Sequence, residues 1–365
     1  MLTEIAPIKD LLVEDLQVKD LPVEDLLVID ASKNIPVAGT QFYPLRFAPI
    51  YQYRPWGGRN LANLLTEPMP SGPIGEAWLL SDRDDHASQV AEGSLKVQTI
   101  GQLLKQFPEQ MLGKLAGRFQ RFPLLLKFLD AQEMLSVQVH PTKANTKQLP
   151  AGESAKSEAW VVLEAGARSR IYAGLKPGTT AADLRRALAD GTPADQLEGF
   201  TPKPGDSVFI KAGTVHSLGG ELVVFEIQQN SDVTFRLYDW DHVDAKTGQL
   251  RELQVDQAMD CIDFAEGPVG RVTPLLESAT PVKREQLFDC EYFKLCRVGG
   301  LSKFSVGAIG VPRVLVCIEG GGHIEKGNVN YAIGKGDVLF LPAVLGPCAV
   351  SPRGTVNLLE IALPE

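Results

Sequence analysis

Gly205-Asp206-Ser207-Val208-Phe209-Ile210 is echoed downstream by Gly336-Asp337-Val338-Leu339-Phe340-Leu341. Each copy joins a Gly-Asp turn to a run of β-favouring apolar residues, and each is followed by an apolar strand ending in Glu-Ile, at Glu226-Ile227 and Glu360-Ile361. A turn and strand repeated in the same order predict two related β-barrels. The copies differ where chemistry would sit: aligning Gly205 with Gly336 sets His216 against Pro347, so only the first barrel keeps a side chain able to hold a metal.

From Gln41 onward, short apolar runs alternate with Gly and Pro, the texture of an antiparallel, mainly β fold. Two stretches interrupt it. Thr99 to Arg118 and Thr179 to Ala189 carry Leu and Ala at three-to-four spacing, the second behind a Thr suited to an N-cap, and both read as helical insertions in the first barrel. Ahead of them, Asp recurs at 10, 15, 20, 25 and 30, with Leu at 11, 16, 21 and 26 and Val at 13, 18, 23 and 28. A step of five gathers apolar residues on one face of neither a helix nor a strand. The expected organisation is therefore a loosely ordered acidic tail over 1–40, a catalytic metal-binding domain over 41–270 with the insertions, and a second barrel without metal ligands over 271–365.

The 365 residues are 44% hydrophobic and 22% charged, enough apolar content for more than one core. With 36 Lys and Arg against 45 Asp and Glu, the formal charge of -9 repels nucleic-acid backbones and anionic membrane surfaces. An anionic ligand must then meet a local basic pocket. No apolar run approaches the roughly 18 residues that span a bilayer, and the acidic N-terminus lacks a secretory pattern, which points to the cytoplasm. The five cysteines, odd in number and without a CxxC pair, read as reduced core thiols.

Chemistry concentrates in four segments. Along Leu135-Ser136-Val137-Gln138-Val139-His140, strand alternation puts Ser136, Gln138 and His140 on one face and the apolar residues on the other. Lys156 and Glu158 share a face by the same rule, His216 ends the turn of the first repeat copy, and Val224 to Asp239 again alternates polar with apolar. Inward polar groups in a narrow barrel need partners or an ion, because burying an unpartnered charge is unfavourable. His140, Glu158 and His216, with Gln138 as a weaker fourth, make an N/O donor set for a borderline divalent ion such as zinc. His86, His242 and His323 lack such company and read as surface or loop residues; Gly320 to Gly322, with no Lys-Ser/Thr behind it, reads as a β-turn.

The ordered set YRPWGG (Tyr53 to Gly58), PIGEAW (Pro73 to Trp78), LLLKFLDAQEMLSVQVHP (Leu124 to Pro141), KSEAW, AGTVHSL and FEIQQNSDVTFRLYDW (Phe225 to Trp240) resembles the type I phosphomannose isomerases, especially their short bacterial form. The resemblance runs over roughly 45 to 245 and weakly beyond. It implies cupin-type (jelly-roll) barrels, one zinc ion held by Gln138, His140, Glu158 and His216, an active-site arginine at Arg236, and interconversion of mannose 6-phosphate and fructose 6-phosphate. The expected form is a cytoplasmic monomer or homodimer. The pentapeptide tail has no counterpart in the family.

Such an isomerisation moves a proton between neighbouring carbons through an enediol, so negative charge develops on oxygen. Glu226 is the candidate general base, or else a structural acceptor paired with Arg236 or Lys156; Lys156 is the rival proton carrier. Ser136, Lys156 and Lys127 are candidate phosphate contacts, Lys127 because a lone lysine in an apolar run needs an anionic partner. Two alternatives keep the fold: an Fe(II) cupin oxygenase using two His and one Glu, and a non-catalytic sugar-binding or regulatory cupin.

Overall fold

Alternation along the strand Leu222–Gln229 sets the layering of the molecule. Val223, Phe225 and Ile227 join one buried apolar cluster, while Leu222 and Val224 join another on the opposite face. Its two neighbours split the same way: Leu124, Leu126 and Phe128 against Leu129 and Ala131 in Leu124–Ala131, and Ala159 and Val161 against Trp160 and Val162 in Glu158–Ala165. A strand buried on both faces must be apolar in both registers, which is why these segments read as near-continuous hydrophobic runs.

The computed structural model describes residues 41–150, 152–244 and 247–364, and the pentapeptide repeat lies outside them. The described residues fall in one compact unit. The three central strands, with Ser207–Ile210, Ile50–Gly58 and Ile74–Leu80, form a six-stranded antiparallel sheet. Facing it is a five-stranded sheet in the order Leu197–Phe200, Arg170–Leu175, His216–Gly219, Val137–Val139, Phe235–Tyr238. Ile171, Ala173 and Leu218 of this sheet pack with Trp160 and Val224 of the other, so the two enclose a common interior. The outer face of the five-stranded sheet is covered by helices Ala181–Ala189 and Val255–Cys261 through Leu184, Ala258 and Met259.

The outer face of the six-stranded sheet packs on a nine-stranded sheet through Val314, Val316, Phe340, Leu359 and Ile361. That sheet draws on residues 275–362 and on the short strand Leu45–Arg46, where Leu45 lies opposite Phe340. Its other face carries an apolar cluster of its own, including Leu315, Cys317, Ile324, Val350 and Leu358. Among the described residues, no helix is long and apolar enough to cross a membrane.

The repeated Gly-Asp turns occupy matching places. Gly205 and Gly336 adopt φ of 90° and 91°, a conformation that favours glycine, and donate to Val162 and Cys317 of the adjoining strand. In each case the following strand, Ser207–Ile210 or Val338–Leu341, pairs with a strand that in turn pairs with the one carrying Glu-Ile.

Two expectations need correction. The insertion expected from Thr99 to Arg118 is broken: Thr99 caps Ile100–Gln106 through a reciprocal pair with Gln102, and Pro108 then restarts the chain as Pro108–Leu112. Gly320 to Gly322 is no turn between strands but the bend inside the strand Arg313–Lys326, where the pairing with Cys348–Ala362 slips twice. Gly320 has φ of 68°, and a Cβ there would overlap the carbonyl of Thr355. Gly320→Ala should therefore destabilise the protein well beyond the roughly 1 kcal/mol expected from the left-handed backbone alone. Gly354→Ala, at φ of 76° in open space, should show only that smaller loss. Equal urea-unfolding free energies for the two variants would show that close approach does not fix the bend.

Candidate metal centre

The apolar inner faces of the two facing sheets give way at one end to polar residues. On the six-stranded sheet, Gln228 lies opposite Glu158, and Glu226 lies between Trp160 and Lys127. On the five-stranded sheet, Gln138 is flanked by His216 and Arg236. Val137 and Val139 point the other way, into the cluster under the helices, so alternation delivers Ser136, Gln138 and His140 to the interior together. His216 arrives from a tight turn closed by a Thr214 to Lys211 backbone bond of 3.0 Å, and Gly213 ties that turn to the His140 carbonyl.

His140, Glu158 and His216 are each 1% exposed, and one ligand-capable atom from each lies within 4.8 Å of the others. His140 Nε2 stands 3.1 Å from Glu158 Oε2 and His216 Nε2 stands 3.4 Å from Glu158 Oε1. Both imidazoles are anchored from behind, His140 Nδ1 on the Val233 carbonyl at 3.0 Å and His216 Nδ1 on the Thr214 carbonyl at 2.8 Å. A carbonyl only accepts, so each Nδ1 donates and each Nε2 turns a lone pair toward the carboxylate. His140 Nε2 and Glu158 Oε2 then face one another as buried acceptors with no hydrogen bond between them.

A proton on His140 would relieve that opposition, but burial, and then the Lys156 charge, push its pKa down to about 3. Burial also lowers His216. Burial alone would raise Glu158, yet Lys156, with Nζ 3.0 Å from Oε2, holds its carboxyl well below the usual range. Two neutral imidazoles and one carboxylate converging on a dry point suit a divalent cation of borderline softness. Gln138 stands beside them, its amide nitrogen 3.2 Å from His216 Nε2 and its oxygen accepting from Ser136 Oγ at 3.0 Å. A half-turn of the amide exchanges the two atoms and offers the oxygen to the same point.

Gln138 and Lys156, both in contact with the triad, line a cleft of about 380 Å³ together with Ser136, Glu226 and Arg236 and, unforeseen from the sequence, Arg54 and Arg251. Lys127 does find anionic partners, but within the protein: its Nζ lies 3.4 Å from Glu226, 3.5 Å from Glu76 and 3.5 Å from Asp232, and 5.1 Å above the Trp78 ring. Burial works against its charge, and Glu76, Glu226 and Asp232 outweigh it, holding the ammonium above its ordinary range. Glu226 pairs with Lys127 rather than with Arg236 or Lys156 and accepts from Trp160 Nε1 at 3.2 Å. Burial, and next the charge of Glu158, raise its pKa to about 7.

Arg236 has a buried Nε without a hydrogen-bond partner, and no ion pair to it is found among the described residues. Burial and then the Arg251 charge disfavour its proton. Arg251 itself is fixed on Asp239 by Nε at 2.7 Å and a second, shorter contact. Glu76 gathers Arg54 Nε and Trp78 Nε1, each at 2.7 Å, beside Lys127. Arg54 and Glu76 sit within YRPWGG and PIGEAW, where a charged residue among aromatics was the available signal; Arg251 follows no pattern. The remaining histidines stay apart from the triad: His242 meets Glu133 at 3.1 Å, His323 lies by Arg353, and His86 rests on Trp78. Asp82, at the head of an acidic run, is buried and accepts from the Phe122 amide at 2.8 Å.

The family model for phosphomannose isomerase type I, catalytic domain, matches residues 45–159, which carry Lys127, Ser136, Gln138, His140, Lys156 and Glu158. Mannose-6-phosphate isomerase ManA of Bacillus subtilis is 34% identical over 303 residues, 83% of this chain and 94% of that protein. The mannose-6-phosphate isomerase of Streptococcus mutans is 32% identical over 79% of this chain and 88% of its own length. The crystal structure of a Bacillus subtilis mannose 6-phosphate isomerase is similar with a TM-score of 0.81 at 28% identity, covering 88% of this chain and 99% of that one. The oxygenase and binding-module alternatives find no support among these relatives. Sequence agreement over four-fifths of the length, on a shared mainly β cupin fold, places the chain in the type I phosphomannose isomerase family.

Proposed function

We propose that this chain interconverts mannose 6-phosphate and fructose 6-phosphate at the cleft described above, with one divalent ion, zinc, held by His140, Glu158, His216 and Gln138. The relatives support the reaction. The observation that carries the metal assignment is His140 Nε2, buried without a hydrogen-bond partner and turned toward the Glu158 carboxylate at 3.1 Å, with His216 Nε2 facing the same carboxylate at 3.4 Å. A bound divalent ion supplies positive charge for sugar oxygens on which negative charge develops. Free cysteines and a metabolic sugar phosphate suit a cytoplasmic enzyme.

Glu226 is the proton carrier in this reading. As carboxylate it removes the C2 proton of open-chain mannose 6-phosphate, the electron pair forms the C1–C2 double bond, and O1 gains negative charge. Returning that proton to C1, while O1 gains a proton and O2 loses one, gives the ketose. Lys156, buried beside Glu158 and lining the cleft, donates to the developing oxyanion, a role whose loss typically costs about 3–4 kcal/mol. Lys127 balances Glu76, Glu226 and Asp232 and keeps the base in place. Arg236, without a carboxylate of its own, and Arg251, which already lowers its pKa by like charge, form the anion site for the phosphate, with Ser136 as a further donor.

A coupled assay with mannose 6-phosphate should show turnover that chelation abolishes and zinc restores. His216→Ala should lose both turnover and the single bound ion; an unchanged zinc stoichiometry would refute the ligand set. Because Glu226 acts only when deprotonated, kcat/KM should rise with pH through about 7. Glu226→Gln should lower kcat by roughly 100-fold or more and flatten that rise; a persisting rise would transfer the role to Lys156. Arg251→Gln should raise KM about tenfold with a smaller change in kcat, and an unchanged KM would remove Arg251 from the phosphate site.

A further inference from the structure

We infer that Glu153 is a positioning residue for the metal centre: it clamps the Asn230–Val233 connection, whose Val233 carbonyl orients His140. Glu153 belongs to neither the triad nor the catalytic cleft. It stands in a turn, its amide 3.1 Å from the Pro150 carbonyl, on the wall of a neighbouring cavity of about 740 Å³.

Its carboxylate collects donors from three directions. Ser231 Oγ lies 3.1 Å away and the Asp232 amide 3.3 Å away, both donating to Oε2. Arg83 approaches in a two-pronged contact, through Nη1 at 3.3 Å and Nη2 closer still. The two charged side chains are 21% and 14% exposed, so the pair is largely withdrawn from water. Arg83 Nη1 also reaches the Asn230 carbonyl at 3.4 Å, and Ser231 Oγ the Ser154 carbonyl at 2.9 Å. All these contacts fall on the connection between strands Leu222–Gln229 and Phe235–Tyr238, which has no ladder of its own.

The same connection delivers two groups inward. The Asp232 carboxylate lies 3.5 Å from Lys127, and the Val233 carbonyl accepts from His140 Nδ1 at 3.0 Å. That acceptor fixes which ring nitrogen carries the proton, and hence which offers a lone pair to an ion; partners behind a ligating histidine typically contribute 10–100-fold in metal affinity or activity. Removing Glu153 takes the acceptor from the Asp232 amide and the carboxylate from Arg83, and frees the carbonyl one residue further on. Metal affinity falls although no ligand is altered.

The inference rests on the metal assignment proposed above, and zinc affinity measured against a competing chromophoric chelator on the full chain tests both. Wild type should bind one zinc. Glu153→Ala should bind it about 10–100-fold more weakly, with shifted ligand-field bands after cobalt substitution. Glu153→Gln, whose amide oxygen still accepts from Ser231 and Asp232, should lose much less. If Glu153→Ala fails to fold, as circular dichroism would show, Ser231→Ala, which removes a donor from the connection to the same carboxylate, carries the test, with a loss in the same direction. Wild-type affinity in the folded variant overturns the positioning role alone, as do equal losses in Glu153→Ala and Glu153→Gln, which would assign the effect to the ion pair with Arg83. A wild type that binds no zinc removes the metal assignment and this inference with it.

Discussion

Two lone pairs aimed at each other inside a buried space are the constraint around which the first sheet pair is organised. His140 and His216 are both held by backbone carbonyls at Nδ1, so neither can turn a proton toward Glu158 without giving up its anchor. Burial removes the other escape, protonation of the rings. Lys156 answers the carboxylate but not the lone pair of His140 Nε2, and folded proteins rarely leave buried polar atoms unmatched. The carbonyls that impose it, at Thr214 and Val233, lie in connections between strands, so the site depends on loops held rigid by their own contacts.

Around that point the buried charges form a nearly closed set. Lys127 is shared by Glu76, Glu226 and Asp232; Glu76 is shared with Arg54; Lys156 is given to Glu158. Arg236 stands outside the set, its Nε unmatched. An arginine kept in a cleft with no ion pair among the described residues suits an anion brought from outside, the role proposed for it. Glu226 differs from its neighbours in the opposite sense: it is the carboxyl whose acid form burial and nearby negative charge favour, and the resulting value near 7 is that of a group able to take and return a proton.

The second half of the chain shows what the same local pattern becomes without polar insertions. Gly336 and the strands after it reproduce the hydrogen-bonded neighbourhood of Gly205, yet the interior they bound is apolar, with Cys317, Cys348, Val350 and Leu358. Pro347, standing where His216 stands in the first copy, supplies no ligand. One turn-and-strand unit therefore borders a buried His-Glu-His cluster in one place and simple packing in the other, and the difference lies in a handful of inward-facing positions.

The sequence by itself determined the mainly β class, the repeated turn, and the inward polar set, because strand alternation acts within a few residues: once Val137 and Val139 are buried on one side, Ser136, Gln138 and His140 must share the other. It also determined that Lys127 needed an anion and that a threonine would cap the helix within Thr179 to Ala189, as Thr180 does, both local demands. Tertiary structure alone decided that the anions for Lys127 are Glu76, Glu226 and Asp232, that Arg251 reaches the cleft, and that Glu153 grips the connection behind His140. These are pairings between segments far apart in the chain, set by sheet order and register, and no short-range rule carries that information. The break at Pro108 follows from a local rule, since proline has no N–H to continue the helix, whereas the bend at Gly320 follows from the neighbouring Thr355 carbonyl, which the folded sheet alone brings there.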